Sequence, residues 1–291
     1  MLAGCLFVGG CASSPTSPSQ TNSTLPSGTI YFSERSIKTL RLSDGTVTNL
    51  ADGGMPNVRP DRSIVAVVAT NLALISPDGT QATVIIPKSG QSATGFDASF
   101  KDPQVSPDGR YIAYCQRFYD MVYVYDAKTN TVILSVGNIS KSEYFTHPSW
   151  GKDGSLFVEA VPFGTIQAGG GIYRIDNTFQ TIVRVDHGLN TPKKPTVSPD
   201  GTTIAFVLNS HVWTMGIDGS NARQLTTSSG TEDYPTWSPD SKWIAINDGA
   251  CDLFLIPIGG GSVIDLHNQY PNSIGGSFGH CPDPGGQMDW K

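Results

Sequence analysis

The chain alternates between short apolar runs and clusters of turn-forming residues along most of its length. Runs such as YIAYC (111–115) and TIAFV (203–207) are rich in β-branched and aromatic residues, and Pro, Asp and Gly bound them. Turn signals return about every 8–12 residues, and no segment shows the 3.6-residue period of an amphipathic helix. The pattern therefore predicts an all-β protein with almost no helix.

One ten-residue phrase recurs along the chain. It reads VSPDGRYIAY from Val105 and VSPDGTTIAF from Val197, and it returns as WSPDSKWIAI from Trp237. Two weaker copies and a truncated one complete the series. The first residues of the six copies are Val58, Val105, Trp150, Val197, Trp237 and Trp290. Self-similarity at such a period indicates a repeat architecture.

The phrase SPDG has the chemistry of a tight turn. Pro supplies the fixed φ of the second turn position, Asp suits the third, and Gly accepts the positive φ that follows. Each repeat then reads as four short strands, A to D, with SPDG as the A–B turn. Four strands per repeat of about 45 residues are typical of a β-propeller blade.

The blade count closes on itself. Residues 28–51 supply strands B, C and D without an A strand, and the C-terminal MDW supplies an A strand alone. Together they complete one blade, which predicts a six-bladed propeller over residues 28–291 whose last blade joins the two ends of the chain. Closure leaves only short, protected sheet edges.

The repeat P-x-W-S-P-D-G-x-x-I-A-F, followed by L-Y-x-x-x-x-D-G and x-x-x-L-T, resembles that of TolB-type propellers, periplasmic components of the Tol-Pal system. The resemblance covers residues 28–291 and is specific for fold. The repeat also occurs in the propellers of prolyl-oligopeptidase-type enzymes and of some polysaccharide lyases. Residues 12–27 are too few and too polar to supply the additional N-terminal α/β domain of TolB.

Residues 1–11 resemble a bacterial lipoprotein signal that ends in Gly9, Gly10 and Cys11. Cys5 fits the preferred signal residues better, but apolar residues follow it, whereas a polar segment follows Cys11. We therefore predict lipidation at Cys11, with three alternatives open: lipidation at Cys5, a start further upstream, and an unprocessed N-terminus. Residues 12–27 bury too little apolar surface to fold and are predicted to form a flexible tether. The resemblance implies a protein anchored on the periplasmic side of the bacterial envelope.

Composition narrows the partners. The formal net charge is −6 and no Lys/Arg run occurs, so the sequence lacks the basic segment typical of nucleic-acid-binding proteins. The sequence contains no run of about 18 apolar residues, so it predicts no membrane-spanning helix. We expect a monomer without a cofactor.

The residues just before each A strand are predicted to ring the upper mouth, which is the end of the central channel opposite the SPDG turns. They are Met55, Asp102, His147, Lys194, Tyr234 and Gln287. Lys101 and Asp233 adjoin this ring, and Arg117 and Tyr119 lie in a B–C loop on the same face. We predict a ligand or partner site at Lys101, Asp102, Arg117, Tyr119, His147, Lys194, Asp233 and Tyr234. The alternative is a solvated polar rim.

Cys251 and Cys281 fall in two loops of one blade on the upper face, and we hypothesise a disulfide between them. All five histidines map to upper-face loops. The resemblance to lyases leaves a His-rich metal centre open, but the spacings match no compact metal motif, so no metal site is predicted. Without GxSxG or room for a hydrolase domain, nucleophilic catalysis has no support.

The sequence therefore favours a non-enzymatic envelope lipoprotein that binds a protein or peptide at its upper face or channel mouth. The alternative is a metal-dependent polysaccharide lyase, or another small-substrate enzyme, that uses upper-face histidines.

Overall fold

A computed structural model describes most of the chain, namely residues 25–34, 36–88, 100–116, 121–137, 143–162, 170–248, 252–271 and 287–291. Its described strands form six four-stranded antiparallel sheets, and its only described helix is the four-residue α1 (Leu266–Gln269). Within these ranges, no helix has the length and apolar character needed to span a membrane.

The strands follow one another blade by blade. The chain begins with β1 (Thr29–Glu34), β2 (Ser36–Arg41) and β3 (Val47–Asp52). Blade 1 contains β4 (Gly54–Val58), β5 (Ile64–Val68), β6 (Asn71–Ile75) and β7 (Ala82–Ile86). Blade 2 contains β8 (Phe100–Val105), β9 (Tyr111–Gln116), β10 (Met121–Asp126) and β11 (Thr131–Val136). Blade 3 contains β12 (Glu143–Trp150), β13 (Leu156–Pro162), β14 (Gly171–Ile175) and β15 (Ile182–Arg184).

The remaining strands complete the ring. Blade 4 contains β16 (Lys193–Val197), β17 (Thr203–Leu208), β18 (His211–Gly216) and β19 (Arg223–Gln224). Blade 5 contains β20 (Glu232–Trp237), β21 (Trp243–Asp248), β22 (Leu253–Pro257) and β23 (Ile264–Asp265). The last strand, β24 (Asp289–Trp290), pairs with β1, so the closing blade has the order β24-β1-β2-β3.

The ring is closed by the two ends of the chain, as the repeat count predicts. Ile30 pairs with Trp290 in the β1–β24 register, and the backbones of Thr29 and Lys291 exchange hydrogen bonds of 2.6 and 3.0 Å. The six A strands contact one another in the order β4, β8, β12, β16, β20 and β24, and β24 contacts β4 again. The sixfold propeller prediction is confirmed.

The core lies between the blades. In strand β9, four successive residues from Ile112 to Cys115 are buried, because blades pack on both faces of the sheet. One buried cluster joins Ala113 of blade 2 to Phe145 and Leu156 of blade 3, and equivalent clusters fill other seams. Burying one such aliphatic or aromatic side chain contributes about 1.5–3 kcal/mol, so the seams supply most of the stabilisation.

The SPDG turns have the predicted geometry. In blade 2 the Gly109 N–H donates to the Ser106 carbonyl at 2.8 Å, and Gly109 has a φ of +74°. The Ser106 hydroxyl donates to Asp108 and accepts the Tyr111 N–H at 2.8 Å. Both hydrogen-bonding roles of this serine are therefore used inside its own turn, and the phrase is structural.

Candidate functional site

Five A strands carry the same irregularity near the upper mouth. In each, the pairing register shifts at the dipeptide that ends in proline. The residue before the proline has a φ between 46° and 54°, although such values are uncommon for residues other than glycine. These residues are Met55, Asp102, His147, Lys194 and Tyr234. The bulge is thus a repeated feature of the blades, and because bulges re-aim side chains and are over-represented beside functional sites, these positions are candidates for one.

The A strands surround a central channel of about 450 Å³ that every blade lines. At its upper mouth the lining includes Asp102, His147, Lys194, Tyr234 and Gln287. Five of the six residues that were predicted to ring the upper mouth therefore line the channel. The sixth, Met55, does not line the channel; its sulfur accepts the Asp102 N–H at 3.4 Å.

His147 lies between two buried carboxylates. Its Nδ1 is 2.8 Å from Glu159 Oε2, and its Nε2 is 3.6 Å from Asp102 Oδ2. The Nδ1 contact is an ion pair rather than an aligned hydrogen bond, because the ring N–H does not point at the oxygen. Both carboxylate side chains are only 6% exposed, so solvent screens this group weakly.

The contacts in this group shift the pKa values of His147 and Glu159. Burial alone lowers the pKa of His147, but the Asp102 and Glu159 carboxylates outweigh burial and hold this pKa above its ordinary value. Burial alone raises the pKa of Glu159, but the contacts with His147 and with Lys194 together outweigh burial, so this pKa lies below its ordinary value. The pair is therefore ionised at mildly acidic pH.

Lys194 joins this group to a second one. Its backbone N–H donates to Glu159 Oε2 at 2.9 Å, its ammonium donates to Asp233 Oδ2, and the ammonium lies 3.5 Å from the centre of the Tyr234 ring. A cation over an aromatic face is attracted by the ring quadrupole. Strand bulges in blades 4 and 5 thus combine a lysine, a carboxylate and an aromatic ring at the mouth.

Gln287 narrows the mouth from the closing blade. Its side-chain amide donates to the Pro103 carbonyl of blade 2 at 2.7 Å, which is a contact with a blade that is not its neighbour. The side chain is buried and its Oε1 has no hydrogen-bond partner among the described residues.

The remaining predicted site residues have different positions. Asp233 contacts Lys194 but does not line the channel, and Lys101 is not among the lining residues. Six further residues lie outside the described residues: Cys5, Cys11, Arg117, Tyr119, Cys251 and Cys281. Lipidation, the disulfide and the second polar-aromatic cluster therefore stay predictions.

Glu159 is the member of this charged group that the sequence reasoning missed. It occurs in LFVEAVP, the otherwise apolar strand β13, where it is 4% exposed. Because an ionised carboxylate is buried only with a partner, a lone Glu in an apolar strand was the available signal.

The histidines of the described chain do not converge. His147 lies in the channel, His211 lies 3.8 Å from Glu232 Oε2 between blades 4 and 5, and His187 contacts the Asp218 carbonyl. Within the described ranges, no three His, Cys, Asp or Glu side chains are arranged to hold a metal ion. His280 lies outside these ranges.

The sequence has few recognisable relatives among the proteins compared with it. No protein-family model matches the chain. An uncharacterized protein of Agrobacterium fabrum is 27% identical over 202 residues, which are 64% of this chain and 63% of the relative; the match thus spans less than two thirds of that protein.

Solved structures match over more of the chain. A candidate TolB from Agrobacterium tumefaciens has a TM-score of 0.60 at 21% identity, covering 84% of this chain and 89% of that one. An oligogalacturonate lyase in complex with manganese has a TM-score of 0.53 at 14% identity, covering 82% and 73% of the two chains. A Xanthomonas campestris gluconolactonase has a TM-score of 0.54 at 17% identity, covering 79% and 76%. The chain thus has the fold of TolB-type six-bladed β-propellers.

Proposed function

We propose that the protein is a non-enzymatic propeller of the bacterial envelope that binds a protein or peptide partner at the upper mouth of its channel. The observation that carries the proposal is the group formed by Lys194, Asp233 and Tyr234. It places a cation, a carboxylate and an aromatic ring side by side on three strand positions of two blades.

This group suits recognition because it is preformed and partly accessible. The Lys194 and Asp233 side chains are 17% and 41% exposed, and strand bulges rather than loops hold them. Aromatic and charged residues held rigidly at a concave mouth are typical anchors of protein interfaces. Because Lys194 and Asp233 already pair with each other, a partner gains little net energy by contacting them. Such charges therefore contribute more to specificity than to affinity.

The serine hydroxyls and the cysteine thiol near the channel are poorly suited to act as nucleophiles, which supports the non-enzymatic proposal. The hydroxyls of Ser106, Ser198 and Ser238 each donate to the Asp of their own turn. Cys115 is buried, and burial raises the pKa of its thiol, which disfavours the reactive thiolate.

The envelope location rests on the N-terminal sequence and on the likeness to TolB. If Cys11 carries the anchor, Cys11→Ser releases the protein from the membrane fraction, whereas Cys5→Ser does not. Unchanged fractionation of Cys11→Ser rejects an anchor at this residue.

The partner site is tested by affinity capture from envelope extract with the full chain. The test variants are Lys194→Gln, which keeps the backbone N–H that Glu159 accepts, and Tyr234→Leu. Lys128→Gln is the matched control, because Lys128 is an exposed residue in a C–D turn outside the channel. We expect the wild type and the control to capture the same partner and both test variants to lose it. Equal capture by all four proteins refutes the upper mouth as the site.

A small-substrate enzyme is the second candidate. The observation in its favour is His147, a titratable group with a perturbed pKa that lines the channel between two carboxylates. Incubation with oligogalacturonates, with and without Mn²⁺, and with gluconolactone tests it. Turnover that His147→Gln abolishes would replace the binding proposal with an enzymatic one.

A further inference from the structure

The repeat phrase departs from SPDG at six turn positions, and four of the six replacements are basic. Blade 1 reads RPDR where blades 2 and 4 read SPDG, which places Arg59 and Arg62 in the A–B turn. Blade 3 reads GKDG, with Lys152 at the proline position. In the closing blade, Lys291 stands where the first turn serine occurs elsewhere.

The four basic replacements lie at the same end of the channel. Arg59, Arg62, Lys152 and Lys291 line the central channel at the end formed by the A–B turns. We call this end the lower mouth and define it by these four residues. They come from three blades, and Arg62, Lys152 and Lys291 are exposed to solvent.

The channel lining has a charge opposite to that of the protein. It contains five Lys or Arg side chains and two Asp side chains, an excess of three positive charges with histidine neutral. The whole chain has a formal charge of −6. Charges of one sign in a narrow cavity focus the potential and attract a counter-ion.

Two of the four lower-mouth cations have no ion-pair partner among the described residues. Arg59 lies 3.2 Å from Asp61 and Lys291 lies 3.4 Å from Asp289, whereas no described ion pair involves Arg62 or Lys152. The five Asp residues of the A–B turns do not line the channel, and each accepts hydrogen bonds within its own turn.

Arg62 also has an unfavourable backbone conformation. It has a φ of 69° at the position where blades 2 and 4 use glycine, and its N–H donates to the Arg59 carbonyl at 2.9 Å. A left-handed conformation costs a residue other than glycine about 1–2 kcal/mol, so an arginine here opposes the local preference. Such local conflicts concentrate at functional sites.

We propose that the lower mouth binds an acidic peptide segment whose carboxylates contact Arg62, Lys152 and Lys291. The cations are spread over three blades, which suits a chain of several carboxylates better than one compact anion such as phosphate. Between them the lining presents Pro60, Pro107 and Pro199, and the hydroxyls of Ser106 and Ser198 are used in their turns. Because this surface offers proline rings and no unused serine hydroxyl at Ser106 or Ser198, it suits the aliphatic stems of acidic side chains better than a hydroxyl-rich acidic sugar. The site is distinct from the upper mouth and does not depend on the function proposed there.

The test is fluorescence anisotropy with the full chain and rhodamine-labelled hexaglutamate at low salt. The variants are Arg62→Gly, which restores the residue that suits this φ, and Lys152→Gln, which keeps the side-chain stem. Each lost charge is expected to weaken binding about 2- to 5-fold, and the double variant about 5- to 20-fold. Added salt should weaken binding of the wild type more than that of the double variant.

Two controls make the outcome decisive. Arg41→Gln with Lys128→Gln removes the same charge from exposed residues outside the channel and should leave binding within 2-fold. Lys194→Gln tests the upper mouth and should retain at least half of the affinity. The proposal is overturned if hexaglutamate does not bind, if labelled hexalysine binds equally well, or if the control pair weakens binding as much as the test pair. Binding of an oligogalacturonate without hexaglutamate binding overturns the peptide assignment in favour of an acidic sugar.

Discussion

Replacing Glu159 by Gln should destabilise the propeller in a pH-dependent way. Glu159 is 4% exposed, and its Oε2 contacts both His147 Nδ1 at 2.8 Å and the Lys194 N–H at 2.9 Å. Glutamine has the same shape and keeps an oxygen for the Lys194 N–H. The substitution therefore removes the charge and leaves the packing and the backbone hydrogen bond in place.

The expected loss follows from the environment of His147. Removing one partner of a buried ion pair costs about 3–5 kcal/mol. The retained oxygen avoids the additional cost of an unpaired N–H, about 1–3 kcal/mol. Asp102, 3.6 Å from the other ring nitrogen, still offsets part of the histidine charge. We therefore expect a loss of about 2–3 kcal/mol where His147 is charged.

The sign of the pH dependence follows from the two pKa shifts. The pKa of His147 is raised, so its contribution to stability is complete below the unfolded value of about 6.5 and is lost as pH rises through the folded value. The pKa of Glu159 is lowered, so its contribution is complete above about 4.5 and is lost as pH falls through the folded value. The difference between wild type and variant should be largest between about pH 4.5 and 6.5 and shrink at higher pH.

Urea unfolding followed by tryptophan fluorescence at pH 5.5 and pH 9 measures this difference. Glu34→Gln is the matched control, because Glu34 pairs with Lys38 at 2.8 Å with both side chains at least one-quarter exposed. We expect the control to lose less than about 1 kcal/mol at either pH. A loss for Glu159→Gln that is equal at both pH values, or larger at pH 9, would refute the ion-pair reasoning.

Two further predictions concern the scaffold. Gly79→Ala should destabilise the protein by more than about 2 kcal/mol, because Gly79 has a φ of +76° and an added Cβ would lie 2.1 Å from the Leu50 carbonyl oxygen. Gly188→Ala, at a φ of +85° with open space around it, should cost only about 1–2 kcal/mol, and equal thermal shifts would contradict this explanation. Trp237→Phe should cost at least about 1 kcal/mol because the indole N–H donates to the Thr196 carbonyl across the blade 4–5 seam at 3.0 Å. An unchanged urea midpoint would exclude a net contribution from that bond.

The sequence determined the blades because their signals are local. In the blade 2 turn, Pro107, Asp108 and Gly109 make a tight turn from neighbouring residues alone, and β9 follows as a continuous apolar run. The unmatched strands at the two ends of the chain then implied closure, which β24 and β1 confirm.

The sequence predicted which residues line the upper mouth but not their backbone conformation. The position before each A-strand proline identified Asp102, His147 and Lys194 as lining residues. Their positive φ values run against the usual restriction on a residue before proline, which disfavours helical conformations, so no local rule predicted them. Only packing within the closed ring maintains such a conformation.

The sequence by itself thus determined the number, length and closure of the blades, because turn chemistry and apolar runs act between near neighbours. The tertiary structure alone decided which charges meet. His147 and Glu159 come from two strands of blade 3, Asp102 comes from blade 2, and the basic residues of the lower mouth come from three blades. Contacts between residues far apart in the chain depend on how blades twist and pack around a channel, and no local pattern encodes them.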